Sequence, residues 1–180
     1  DVLIYIHGFN VSWYDAVGSA LALQQMLQNA RTRDPAQSVL VVLFTWPSDG
    51  SALGYYPDRA DARKSADHFA EVLSELYDWM SMKQARSVKD PADACRAKTS
   101  IIAHSMGNYV VENAMNHAWT RKNRPLLMSL INQLVMVAAD VDNDLFRSGE
   151  SVQHGDGEGI ANLTYRVTAL YTGRDSVLGA

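Results

Sequence analysis

Short apolar runs alternate along this chain with longer stretches whose apolar positions recur every three or four residues. Those two periods separate buried strands from amphipathic helices. Residues 2–6, Val-Leu-Ile-Tyr-Ile, predict a buried strand. Ala16, Ala20, Leu23 and Leu27 form a stripe that predicts a helix over 15–31, with Asp15 as its cap. Residues 38–46 are nearly all apolar, as in a strand covered on both faces. Ala62, Ala66, Phe69, Leu73, Leu76 and Met80 keep helical spacing in a long helix from 58 to about 82. The polar stretch 81–98 contains Pro91 and reads as a surface excursion. A strand over 98–103, a helix over 108–119 and strands over 134–138 and 165–171 complete the pattern. Between the last two strands lies a loop-like insert holding His154-Gly155-Asp156-Gly157-Glu158-Gly159.

This alternation predicts an α/β fold, a three-layer α/β/α sandwich around a mostly parallel sheet. Right-handed crossovers then gather the C-terminal end of every strand on one edge, where the loops of such sheets carry their chemistry. Neither a repeat nor a linker interrupts the pattern, so residues 1–180 read as one catalytic domain. The chain starts inside a strand at Asp1-Val2 and stops at Gly179-Ala180, where another helix is due. We therefore expect an excerpt of a longer protein, truncated at both ends. Any targeting segment upstream is out of view, which leaves the compartment open.

Charge narrows the classes of partner. Sixteen Lys and Arg against 20 Asp and Glu give a net charge of −4 without a basic cluster, which argues against nucleic acid. No apolar run reaches the length of a membrane span. Cys95 is the sole cysteine, so no intrachain disulfide forms, and with no His beside it in sequence it reads as an incidental thiol.

The candidate chemistry sits in Ala103-His104-Ser105-Met106-Gly107-Asn108, between an apolar strand and a helix. A serine there, with small residues two before and two after, fits a nucleophile elbow, the strained turn that lifts a hydroxyl above a sheet edge. Ala103 stands where the usual pattern has glycine. His7-Gly8-Phe9-Asn10 follows the first strand. Gly8 permits close backbone approach, so the amides of Phe9 and Met106 become candidate oxyanion donors. Asp175, after the last strand, suits the order serine, acid, histidine; Asp140 and Asp142, after the fourth strand, are the alternative acid.

The histidine should follow Asp175, yet none occurs after His154, so we expect it beyond residue 180 and expect these 180 residues to be nearly inert alone. His7 and His104 read as supporting residues rather than bases; His68 and His117 read as ordinary helical residues. His154 precedes Asp175 and is a weak internal candidate for the base. The run Asp140-Val141-Asp142-Asn143-Asp144 resembles the start of a calcium loop, but Leu145 replaces the turn glycine and Ser151 the closing Glu, so no metal is expected. Trp46-Pro47-Ser48-Asp49-Gly50, Tyr55-Tyr56, Trp13 and Tyr14 either wall an acyl pocket or pack beneath a loop. Asp58 and Arg59 read equally as a cap and a surface charge.

Taken together, Ile6 to Ser12, Phe44 to Gly50, Tyr56 to Arg59, Ala103 to Asn108 and Ala138 to Asp142 carry a resemblance to the α/β-hydrolase superfamily. Within it the chain is similar to an uncharacterised bacterial group of unknown function. The resemblance implies the fold and a serine hydrolase triad with no cofactor. It implies Ser105 as nucleophile, Asp175 as acid, and Phe9 and Met106 as oxyanion donors. The expected activity is cleavage of a carboxylic ester or related acyl bond in a small-molecule substrate. The rival is a non-catalytic binding module that kept the fold.

Overall fold

The computed structural model describes residues 1–30, 38–51, 53–93, 95, 97–122, 129–147 and 157–171. Strands and helices alternate as β1 (Val2–Ile6), α1 (Trp13–Asn29), β2 (Leu40–Phe44), α2 (Tyr55–Ser87), a 3-10 turn (Pro91–Asp93), β3 (Thr99–His104), α3 (Gly107–Lys122), β4 (Gln133–Val137), α4 (Glu158–Leu163) and β5 (Val167–Leu170). The five strands form one sheet in the order β2-β1-β3-β4-β5, and every pairing is parallel. Register places Phe44, Ile6, Ala103, Met136 and Ala169 in one row across it. The loops that leave these strands therefore emerge along a single edge, as the alternation required.

Side-chain alternation divides the sheet into two faces. Ile4, Ile6, Ile101, Ala103, Leu134 and Met136 join Ala62, Phe69 and Leu73 of α2 and Val110, Ala114 and Met115 of α3 in the main core. Phe44 meets Phe69 across it, ring centroids 4.7 Å apart. Each fully buried Ile, Leu, Val, Met or Phe among them contributes about 1.5–3 kcal/mol, the alanines less. Leu3, Ala16 and Ala20 are buried too but lie outside that core, because α1 packs on β2 from the other face. Beside β2 the Gln24 side chain donates to Val39 O (3.0 Å) and accepts from Val41 N–H (2.8 Å), fastening α1 to that strand.

Several boundaries differ from expectation for local reasons. Ser12, not Asp15, caps α1: its Oγ accepts from Asp15 N–H at 3.2 Å and donates to the Asp15 carboxylate at 2.6 Å. Helix α2 begins at Tyr55 rather than 58, since Pro57 falls in the first turn, where its missing N–H leaves nothing unpaired. It runs on to Ser87 because its last residues, though polar, form helix readily. The insert before β5 contains α4, disguised by Gly159 within it and Gly157 at its N-cap. A Cβ at Gly159 would come within 2.5 Å of the α3 backbone, and its N–H donates to Asn116 Oδ1 at 2.8 Å, so a bare backbone is what lets α4 sit there.

Candidate active site

Two residues, Ser105 and Met106, separate β3 from α3. Ser105 has φ +49°, in the left-handed region that residues with a Cβ rarely adopt. Such strain costs about 1–3 kcal/mol and persists only where the surroundings enforce it. Here Ser105 N–H donates to Val137 O (2.9 Å), and Ser105 O accepts from Asn108 N–H (2.9 Å), Asn108 Nδ2 (3.1 Å) and Asp140 N–H (3.2 Å). Asn108 Nδ2 also donates to Ala103 O at 3.0 Å, so this buried amide ties both sides of the turn together. A Cβ at Gly107 would lie 2.6 Å from His7 O and 2.8 Å from Ile6 O, which makes glycine a requirement there. Ser105 itself is half-buried, and its hydroxyl makes no hydrogen bond among the described residues.

The segment leaving β1 presses against this turn. A Cβ at Gly8 would sit 2.9 Å from Ser105 Cβ and 2.7 Å from His104 Nδ1. The next two residues turn sharply, with Asn10 at φ +57°. Among the described residues, neither Phe9 N–H nor Met106 N–H is used in a hydrogen bond.

His7 is buried and braces this segment. Its ring stacks on Trp46 at 5.2 Å and 4°. Trp46 N–H donates to Nε2 (3.2 Å), which puts the ring proton on Nδ1, 3.0 Å from Gly8 O. Trp46 Nε1 in turn donates to His7 O at 2.9 Å. Burial pushes the imidazole below its ordinary 6.5, although the bonds to Gly8 and Trp46 and the charge of Asp58 oppose that. With both nitrogens occupied, His7 stands as a neutral brace.

Residues 1–180 match throughout a family described as alpha/beta hydrolase of unknown function (DUF900). The chain belongs to that family. It is also similar to the uncharacterized protein alr1448 of Nostoc sp., with 29% identity over 139 residues, or 66% of this chain. The matched region spans 33% of that relative's length. No solved structure matches it.

In this α/β hydrolase chain the alternative acids part company. Asp142 is exposed. Asp140 is buried and already engaged: Tyr55 OH donates to its Oδ1 (3.1 Å) and Oδ2 (3.0 Å), and Arg59 Nη1 to Oδ1 (3.1 Å). Burial first, then the Asp140 carboxylate, raises the Tyr55 hydroxyl above its usual range. Burial works against the Arg59 charge, but Asp140, with Tyr55 and Tyr109, outweighs it and holds the guanidinium above its ordinary value. Asp175 and His154 lie outside the described residues. His104 ends β3, while His68 and His117 stand on α2 and α3; His117 Nδ1 lies 2.6 Å from Asp67 Oδ1. Among the described residues no three His, Cys, Asp or Glu side chains are grouped to hold a metal, and no helix is long and apolar enough to cross a membrane.

The aromatic segment divides between its two readings. Trp46 is buried against His7 and is packing, whereas Trp13, Tyr14 and Tyr56 are exposed. Tyr55 is half-buried and meets Phe9 edge-to-face at 5.5 Å. Asp58 is neither a surface charge nor a simple cap: it is buried and accepts from Ser48 Oγ (2.6 Å) and Asp49 N–H (3.1 Å), pinning the loop after β2. The bracing roles of Asn108 and Asp58 were missed in sequence. Asn108 opens a helix like any polar N-terminal residue, and nothing local marks its amide as a bridge.

Proposed function

We propose that this chain is the core of a serine hydrolase that cleaves a carboxylic ester or related acyl bond, with Ser105 as nucleophile. One observation carries the reading: a serine held at φ +49° whose hydroxyl makes no hydrogen bond among the described residues, flanked by two backbone N–H groups, those of Phe9 and Met106, that are likewise unused among them. The turn acts as a nucleophile elbow. Strain at such a residue keeps its hydroxyl presented rather than folded back onto the helix.

Ser105 Oγ attacks the carbonyl carbon, and the oxyanion that forms is held by the amides of Phe9 and Met106. The dipole of α3, which begins at Gly107 two residues after Ser105, adds to that stabilisation. A serine needs a base to take its proton, and His7 has no nitrogen to offer. We assign that role to a histidine outside these 180 residues, oriented by Asp175. Asp140 serves instead as the clamp between α2 and the turn. The adduct collapses with breakage of the ester C–O bond, and the histidine passes its proton to the departing alcohol; water, activated by the same histidine, then releases the acyl group as the acid and restores Ser105.

Hydrolysis of p-nitrophenyl acetate and butyrate by the full-length protein and by its Ser105→Ala variant tests this reading. The expected result is turnover that falls by at least about a thousandfold in the variant. Equal turnover in a folded variant would remove Ser105 from the chemistry.

A further inference from the structure

Arg59 lies one turn into α2, on the edge where the strands end, and its guanidinium is held in a fixed plane. Its Cζ sits 3.9 Å from the centroid of the Tyr109 ring. Nη1 donates to Asp140 Oδ1 at 3.1 Å and lies 3.4 Å from Tyr55 OH. Both anchors reach back to the serine turn. Asp140 N–H donates to Ser105 O (3.2 Å), and Tyr109 N–H donates to Met106 O (3.1 Å). Tyr55 also meets the Phe9 ring edge-to-face, centroids 5.5 Å apart, so the same cluster contacts the residue that follows Gly8.

This clamp uses one of three guanidinium nitrogens. Nε and Nη2 make no hydrogen bond among the described residues, and the side chain is 29% exposed. Those two N–H groups form the side-on fork of an arginine, the arrangement that matches two oxygens of a carboxylate or phosphate. A lysine in this place would answer Asp140 equally well but offer no such fork. Asp49, Asp58, Asp140 and Asp142 lie in the loops and the helix start of this edge, so an anion gains nothing here from general attraction and depends on directed bonds.

We propose that the Nε/Nη2 fork of Arg59 binds an anionic oxygen group, carboxylate or phosphate, carried by the acyl substrate of the Ser105 site. This rests on the hydrolase reading for the word substrate, but the binding itself does not require turnover. Asp140 and Tyr55 position the fork. The substrate's anion sets its register, and its scissile carbonyl falls to Ser105 and the two amides. The site thus discriminates between acyl groups of equal length according to a remote charge.

The experiment uses the full-length protein with Ser105→Ala, which binds without reacting, and the same protein with Arg59→Gln added. Calorimetry measures two esters of matched length, p-nitrophenyl glutarate with a free carboxylate and neutral p-nitrophenyl valerate, and separately inorganic phosphate. We expect the glutarate ester to bind at least tenfold tighter than the valerate, and Arg59→Gln to collapse that ratio to near one. If phosphate binding alone depends on Arg59, the anion is a phosphate and the proposal holds with that source. If neither anion depends on Arg59, the proposal is overturned. Arg59→Lys, which keeps the charge opposite Asp140, gives the same comparison should Arg59→Gln fail to fold; there the ratio should also fall, because the fork is gone. Fluorophosphonate labelling of Ser105 in the unmutated protein reports on the hydrolase reading separately, so the two can fail independently.

Discussion

Gly8 packs so tightly on Ser105 that a Cβ added to it would lie 2.9 Å from the Cβ of the serine. A second close approach, 2.7 Å to His104 Nδ1, shuts off escape toward β3. The segment carrying Phe9 N–H and the turn carrying Met106 N–H are thus held against each other by the absence of a single methyl group.

Gly8→Ala should separate them. The expected outcome is a fall in kcat of about a hundred- to a thousandfold, the range for losing one oxyanion donor. Overpacking should lower stability by about 1–3 kcal/mol without preventing folding. Ester kinetics and urea unfolding of the full-length variant check both. Activity within threefold of the unsubstituted protein would mean that the segment's position does not matter.

Gly107→Ala meets backbone rather than side chains, at 2.6 Å from His7 O and 2.8 Å from Ile6 O. Backbone carbonyls of a central strand cannot rotate aside. The expected loss of stability is at the upper end of the overpacking range, about 3 kcal/mol, with activity falling as the turn is displaced. Comparison of urea midpoints for Gly107→Ala and Gly18→Ala is a direct control, since a Cβ at Gly18 meets nothing within 4 Å.

Asp140 and Asp175 should respond differently to the loss of their charges. Asp140 is clamped by Tyr55 and Arg59, so Asp140→Asn should cost about 2 kcal/mol of stability, between an exposed and a fully buried pair. Its effect on kcat should stay within about tenfold. Asp175→Asn should lower kcat by up to about ten-thousandfold, as when a triad acid is replaced. Measuring kcat for both in the full-length protein decides the matter, and the reverse ranking would move the acid to the loop after β4.

His7 leaves a signature in pH. Its folded value is depressed below 6.5 by burial, so below pH 6.5 the unfolded chain binds a proton that the folded chain refuses. The His7 contribution to stability is therefore constant above that pH and declines as pH falls from 6.5 toward the folded value. His7→Gln, which removes the titration, should flatten the difference between about pH 7.5 and about pH 5.5 in urea unfolding. An unchanged slope would show that other groups set it.

The sheet was largely legible because each strand is a short apolar run with its own period. Residues 2–6 and their parallel partners follow from that pattern, as does the turn after residue 104. What escaped notice depends on distance in sequence. Asn108 bridges carbonyls of β3, the serine turn and β4, and Asp58 pins a loop ten residues away, yet both look like ordinary polar helix residues. Arg59 looked like a surface charge because its partner Asp140 is 81 residues away. Helix α4 reads as loop in the sequence because Gly159 serves contact with α3 and Gly157, its N-cap, close approach to Leu145, tertiary demands that override local propensity.

The most direct measurement is covalent. The full-length protein is treated with a fluorophosphonate, digested and mapped by mass spectrometry. Ser105 as nucleophile predicts one adduct, on the peptide carrying that residue, and none in Ser105→Ala. An adduct that persists in Ser105→Ala, or a folded protein that takes up no reagent at all, would contradict it.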